Sequence, residues 1–94
     1  MHPSYHIILR MRAGGELEYF GQFNFNAPRP CIEKIYAEMK GIKDSGEELP
    51  IQLDFLEVID GVPSSFHIVA CTLEELSCNV KVIAREAFKI LNLL

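Results

Sequence analysis

From Tyr5 to Phe25 apolar and polar positions alternate. Tyr5, Ile7, Leu9 and Met11 interleave with His6, Ile8, Arg10 and Arg12. After Ala13-Gly14-Gly15, a second series places Leu17, Tyr19, Gly21, Phe23 and Phe25 on one face. A period of two on both sides of a Gly-Gly pair predicts a β-hairpin. A two-residue Gly14-Gly15 turn sets Met11 against Glu18 and Ile7 against Gln22, mixing core and solvent positions. A three-residue loop, Ala13 to Gly15, pairs Met11 with Leu17, Leu9 with Tyr19 and Tyr5 with Phe23. It also opposes Arg10 to Glu18 and Arg12 to Glu16, pairs that contribute about 0.2–1 kcal/mol each. The pattern therefore predicts the three-residue loop.

Asn26-Ala27-Pro28 ends the second strand and starts a helix, since proline is tolerated in a first turn. Ile32, Ile35, Tyr36 and Met39 follow at helical spacing, and Gly41 suits a left-handed cap. Lys43 to Pro50 reads as a polar loop. Ile51, Leu53 and Phe55 then open another strand that runs to about Ile59. Asp60-Gly61 marks a turn, and Phe66 to Cys71 forms the returning strand. A tight turn here aligns Phe55 with Phe66 and Leu53 with Ile68, whereas Pro63 leaves room for a longer loop. Thr72-Leu73-Glu74-Glu75 has the form of a capping box. Behind it Leu76, Val80, Ile83, Ala87, Ile90 and Leu94 recur at spacings of three and four.

The expected fold is α+β, in the order ββαββα: a four-stranded antiparallel sheet with two helices packed on one face. The same supersecondary unit occurs twice, without a residue-level repeat. The whole 94-residue chain, 1–94, is expected to form a single domain.

Composition narrows the classes. At 49% hydrophobic and 23% charged residues, the chain has enough apolar surface to fold. Its net charge of −4 and dispersed Lys and Arg argue against nucleic-acid binding. No apolar run approaches the ~20 residues of a membrane span, so no membrane association is expected. Cys31, Cys71 and Cys78 are odd in number and form no CxxC pair. With no signal-like N-terminus, they read as reduced thiols of a cytoplasmic protein.

Signatures of catalysis are missing: no glycine-rich phosphate cradle, no G-x-S-x-G elbow and no metal-ligand spacing. No cofactor, no metal and no catalytic residue is expected, and an enzyme is the less favoured class. A small-ligand or enzymatic site remains the alternative reading. It places His6, His67, Asp54 and Cys71 together on the open face of the sheet.

One feature points elsewhere. On the face opposite the helices, Ile8 and Phe20 are expected to pair directly across the first hairpin, with Val69 beside them. Leu56 and Val58 join them depending on bulges. An apolar centre with Arg10 and Glu18 on its rim has the composition of a protein interface. The expected role is therefore protein interaction through this face, foremost as a homodimer, with a heterologous protein partner as the other possibility.

Overall fold

The computed structural model describes residues 3–45 and 48–91. The elements run β1 (Ser4–Ala13), β2 (Glu16–Phe25), α1 (Arg29–Ala37), β3 (Ile42–Lys43), β4 (Ile51–Ile59), β5 (Val62–Cys71) and α2 (Leu73–Ile90). The class is α+β, with an antiparallel sheet in the order β2-β1-β4-β5-β3. The sheet has five strands rather than four. Where the expected polar loop begins at Lys43, Ile42 and Lys43 instead pair with Ala70 and Val69 as a short edge strand. The expected end of the second helix at Leu94 lies outside the described residues.

The first hairpin corrects the predicted loop. Ala13 pairs with Glu16 across a two-residue turn, and both Gly14 (φ 61) and Gly15 (φ 86) are left-handed. This is the turn whose twist matches the flanking strands. Near the turn Met11 faces Glu18, Arg12 faces Leu17 and Arg10 faces Tyr19, so the expected Arg–Glu ladder does not form. Between Leu9 and Arg10 the register shifts: Leu9 faces Gly21, and Phe20 is the extra residue of a β-bulge. Beyond it Ile7 faces Phe23 and Tyr5 faces Phe25, which restores the apolar face. The bulge thus removes the conflict at Ile7, while Met11 still faces Glu18.

The second hairpin repeats this device. Asp60 (φ 53) and Gly61 (φ 77) form the turn, and the register shifts between Phe55 and Leu56. Leu56 faces Ser65 and Phe55 faces His67, so Phe66 is the bulged residue. A shift of 46 positions carries Glu16 to Val62 and Phe25 to Cys71, the two ends of the second and fifth strands. It also carries Gly14-Gly15 to Asp60-Gly61 and Phe20 to Phe66. The two hairpins thus share turn, bulge and bulged phenylalanine, while the element order is ββαβββα rather than the expected ββαββα, and α2 is twice as long as α1. Ile8 and Asp54 correspond under the same shift and are partners across the central β1·β4 pair. The two-fold relation between the hairpins runs through that pair.

Ile32 and Ile35 of α1 and Ile83 of α2 share one buried cluster with Tyr5, Ile7, Phe25, Leu53, Phe55 and Val69. Both helices therefore cover the same face of the sheet, and Ile8 and its neighbours of like parity lie on the other. The capping box forms as expected: Glu75 N–H donates to Thr72 Oγ1 and Thr72 N–H donates to Glu75 Oε1. Asn79, fully buried on α2, accepts from Lys40 N–H at 2.7 Å and donates to the Lys40 carbonyl at 2.9 Å. It fastens the segment that leaves α1. The next residue, Gly41, has φ +128, and a Cβ there would collide with the Ala70 carbonyl and Cys71. Only glycine lets this backbone approach β5 so closely.

Candidate functional site

The bulges decide which predicted residues meet. Ile8 stays on the open face but is only 5% exposed, between Gln22 of β2 and Asp54 of β4. It does not pair with Phe20, which the bulge sets aside and leaves 66% exposed. Val69 is fully buried beneath the helices, because the extra residue Phe66 moves every later position of β5 to the opposite face. The expected centre of Ile8, Phe20 and Val69 is therefore not one patch. On the proposed rim, Arg10 lies 3.8 Å from Asp54, and Glu18 faces Met11 in the outer hairpin.

The alternative cluster divides for the same reason. His6 faces Leu56 and Asn24 on the open side, where Asp54 accepts a 2.6 Å hydrogen bond from Ser65. His67 and Cys71 lie on the helix side. Cys71 is fully buried, and that burial, helped by the charge of Glu75, pushes its thiol up to about 11. A thiol held in its neutral form makes a poor nucleophile.

Around His67 the chain builds a polar box that the sequence reading missed. The imidazole stacks on Tyr36 with ring centroids 3.6 Å apart. Its Nε2 lies 2.7 Å from Glu33 Oε1 and its Nδ1 3.2 Å from Asp44 Oδ2. The Tyr36 hydroxyl donates to Asp44 at 2.7 Å, and Ile68 N–H donates to the same carboxylate at 3.0 Å. These bonds hold the Asp44 carboxyl below its usual range, the Tyr36 hydroxyl contributing most. Burial foremost, then the bond to Asp44, pushes the Tyr36 hydroxyl up to about 12. Next to it Arg29 lies over the Phe66 ring at 4.4 Å and reaches Glu57 at 3.6 Å. A recess of about 490 Å³ adjoins the box, lined by Asp44, Ser45, Ser65, Phe66, His67 and Ile68. Each polar group of the box already has partners, so its direct effect is to fasten α1 and the Asp44 segment to β5. Glu33 and Tyr36 at i and i+3 were a visible signal for one side of it. The face of His67 was not, because it depends on the bulge.

The second surface is the outer edge of β2. Tyr19 and Phe20 are 59% and 66% exposed there. Arg12 N–H donates to the Pro50 carbonyl beside β4, which fixes the alternation of the ladder. Even-numbered residues of β1 bond toward β4, so their β2 partners direct backbone groups off the free edge. Those partners are Leu17, Tyr19, Gln22 and Asn24. The side chains of the last three form a polar row in which Tyr19 donates to Gln22 at 3.4 Å and Gln22 donates to Asn24 at 2.7 Å.

No protein-family model, curated protein or solved structure matches this chain. The geometry is accordingly what the functional argument rests on. Among the described residues no three His, Cys, Asp or Glu side chains are grouped to hold a metal ion. No described helix is long and apolar enough to cross a membrane.

Proposed function

We propose that this chain is a protein-interaction domain that self-associates as a homodimer in the cytoplasm, a setting in keeping with its three free thiols. The observation that carries the reading is the edge of β2. Ten residues long, this strand has no neighbour on its outer side among the described residues, and it presents Tyr19 and Phe20 to solvent. A long edge strand bearing exposed aromatic residues is a template for pairing. Small size adds a reason, since a domain of this length buries a modest part of its surface and gains stability by burying more. The ligand-site alternative has less support, because His6 and Asp54 lie on one face of the sheet and His67 and Cys71 on the other.

The test is absolute mass by light scattering across a dilution series of the full chain. A mass near twice 10.7 kDa that falls on dilution, and falls sooner with Phe20→Glu, supports the reading. A single-chain mass at every concentration overturns it.

A further inference from the structure

The two hairpins share turn and bulge but differ at their outer edges. On the β5 edge the chain supplies its own strand: β3 pairs with Val69 and Ala70, and Asp44 N–H continues the line by donating to the Ile68 carbonyl at 2.7 Å. The 46-residue shift maps Val69 and Ala70 onto Phe23 and Asn24 of β2, where no described strand lies. The place that is filled from within beside one hairpin is open beside the other.

Resting on the reading of this chain as a homodimer, we propose that the missing strand is β2 of a second copy. It lies antiparallel across a two-fold axis between Phe20 and Gly21, and the two sheets join into one of ten strands. Three observations select this arrangement. First, the outward-facing residues Leu17, Tyr19, Gln22 and Asn24 are spaced symmetrically about the Phe20–Gly21 junction. In this register Tyr19 meets Gln22 of the other copy and Leu17 meets Asn24. Outward backbone groups therefore meet outward backbone groups at every closely bonded pair, although each strand carries a bulge.

Second, β2 holds Glu16 and Glu18 at one end and no basic residue. Parallel pairing in register would oppose like charges, whereas the antiparallel register sets Glu16 against Phe25 and Glu18 against Phe23. Third, Phe20 comes to lie opposite Gly21, where an added Cβ would meet nothing within 4 Å. An exposed aromatic ring beside a bare glycine is a recurrent cross-strand filling.

Gln22→Pro tests this directly. Its N–H points off the edge, so proline there leaves the hairpin's own ladder intact and blocks only an added strand. Light scattering on the full chain compares wild type, Gln22→Pro and Ile68→Glu, the last placing a charge on the open face away from β2. The expected result is a wild-type dimer, a Gln22→Pro dimer weakened at least tenfold, and an Ile68→Glu dimer unchanged. Circular dichroism and thermal unfolding of dilute Gln22→Pro and Ile68→Glu, the latter setting a carboxylate opposite Asp54, keep loss of fold separate from loss of pairing. If Gln22→Pro is unfolded, amide hydrogen exchange on wild type decides: Tyr19, Gln22 and Asn24 should gain protection with concentration, and no gain overturns the proposal. A dimer that survives Gln22→Pro but not Ile68→Glu overturns the edge pairing and leaves self-association through the face standing. A wild-type monomer at all concentrations overturns both.

Discussion

Phe20 and Phe66 are the same residue at the same bulge of two copies of one hairpin, and only Phe66 is covered. Phe66 makes edge contacts with Tyr5 at 5.9 Å and Phe55 at 6.4 Å, with Arg29 over its face. Phe20 stands in solvent on β2. Alanine at the two positions should therefore act oppositely. Phe66→Ala should lower the stability of the dilute chain by about 2–3 kcal/mol through lost aromatic packing. Phe20→Ala should leave it within about 0.5 kcal/mol and weaken association instead. Urea denaturation at low concentration reads the first effect and light scattering the second.

Asn79 offers a test of the link between the end of α1 and α2. Replacing it with Ala leaves both the Lys40 N–H and its carbonyl without their partner in a part-buried site. The expected cost is about 2–3 kcal/mol. A loss below about 0.5 kcal/mol in urea denaturation would mean that the segment from Met39 to Gly41 is held by other contacts.

The His67 box should make stability depend on pH at both extremes. The folded Asp44 carboxyl lies below its ordinary value, chiefly because Tyr36 donates to it. Its contribution is complete above the ordinary carboxylate range and is lost as pH falls through the folded value. For Tyr36 the sign reverses. Its hydroxyl rises from 10.0 to about 12, so its contribution is complete below pH 10 and lost as pH climbs through 12. Tyr36→Phe should flatten both limbs relative to wild type in denaturation midpoints between pH 3 and 12. Parallel curves would show that the Tyr36–Asp44 bond adds no pH-dependent stability.

Thiol labelling should sort the three cysteines by burial. At pH 8 iodoacetamide should modify the part-exposed Cys31 and Cys78 and spare Cys71, which is buried and pushed up to about 11. Intact mass should show two adducts in buffer and three in urea. A third adduct at a similar rate in buffer would mean that the C-terminal end of β5 opens readily.

Much of the fold was legible because it depends on local pattern. The alternation in β1, the Asp60-Gly61 turn and the Thr72–Glu75 box each state their structure within a few residues, whereas the expected single face of β2 holds from Gly21 to Phe25 and not at Leu17 and Tyr19. The bulges were not legible. Nothing local in Tyr19-Phe20-Gly21 or Ser65-Phe66-His67 says that the central residue drops out of register. One such residue moves all those beyond it to the other face. That is why simple alternation puts Val69 and His67 on the wrong face of the sheet and Leu53 and Phe55 on the right one. β3 was hidden for another reason. Two residues are too short to show a period, and their strand exists because Gly41 permits close approach to β5.

The two-fold relation through Ile8 and Asp54 also bears on how the chain folds in time. Each hairpin closes through a two-residue turn, so its contacts are local and form early. The β1·β4 ladder joins residues as distant as Ser4 and Val58, and this docking step carries most of the loop-closure entropy. Folding thus resembles the meeting of two like halves on a tether, in which α1 and the segment after it set the local concentration. Doubling the length of that tether would cost only about 0.6 kcal/mol of closure entropy. Length can therefore be added cheaply only outside α1 and the Lys40–Asp44 segment, whose contacts with α2 and β5 fix their positions.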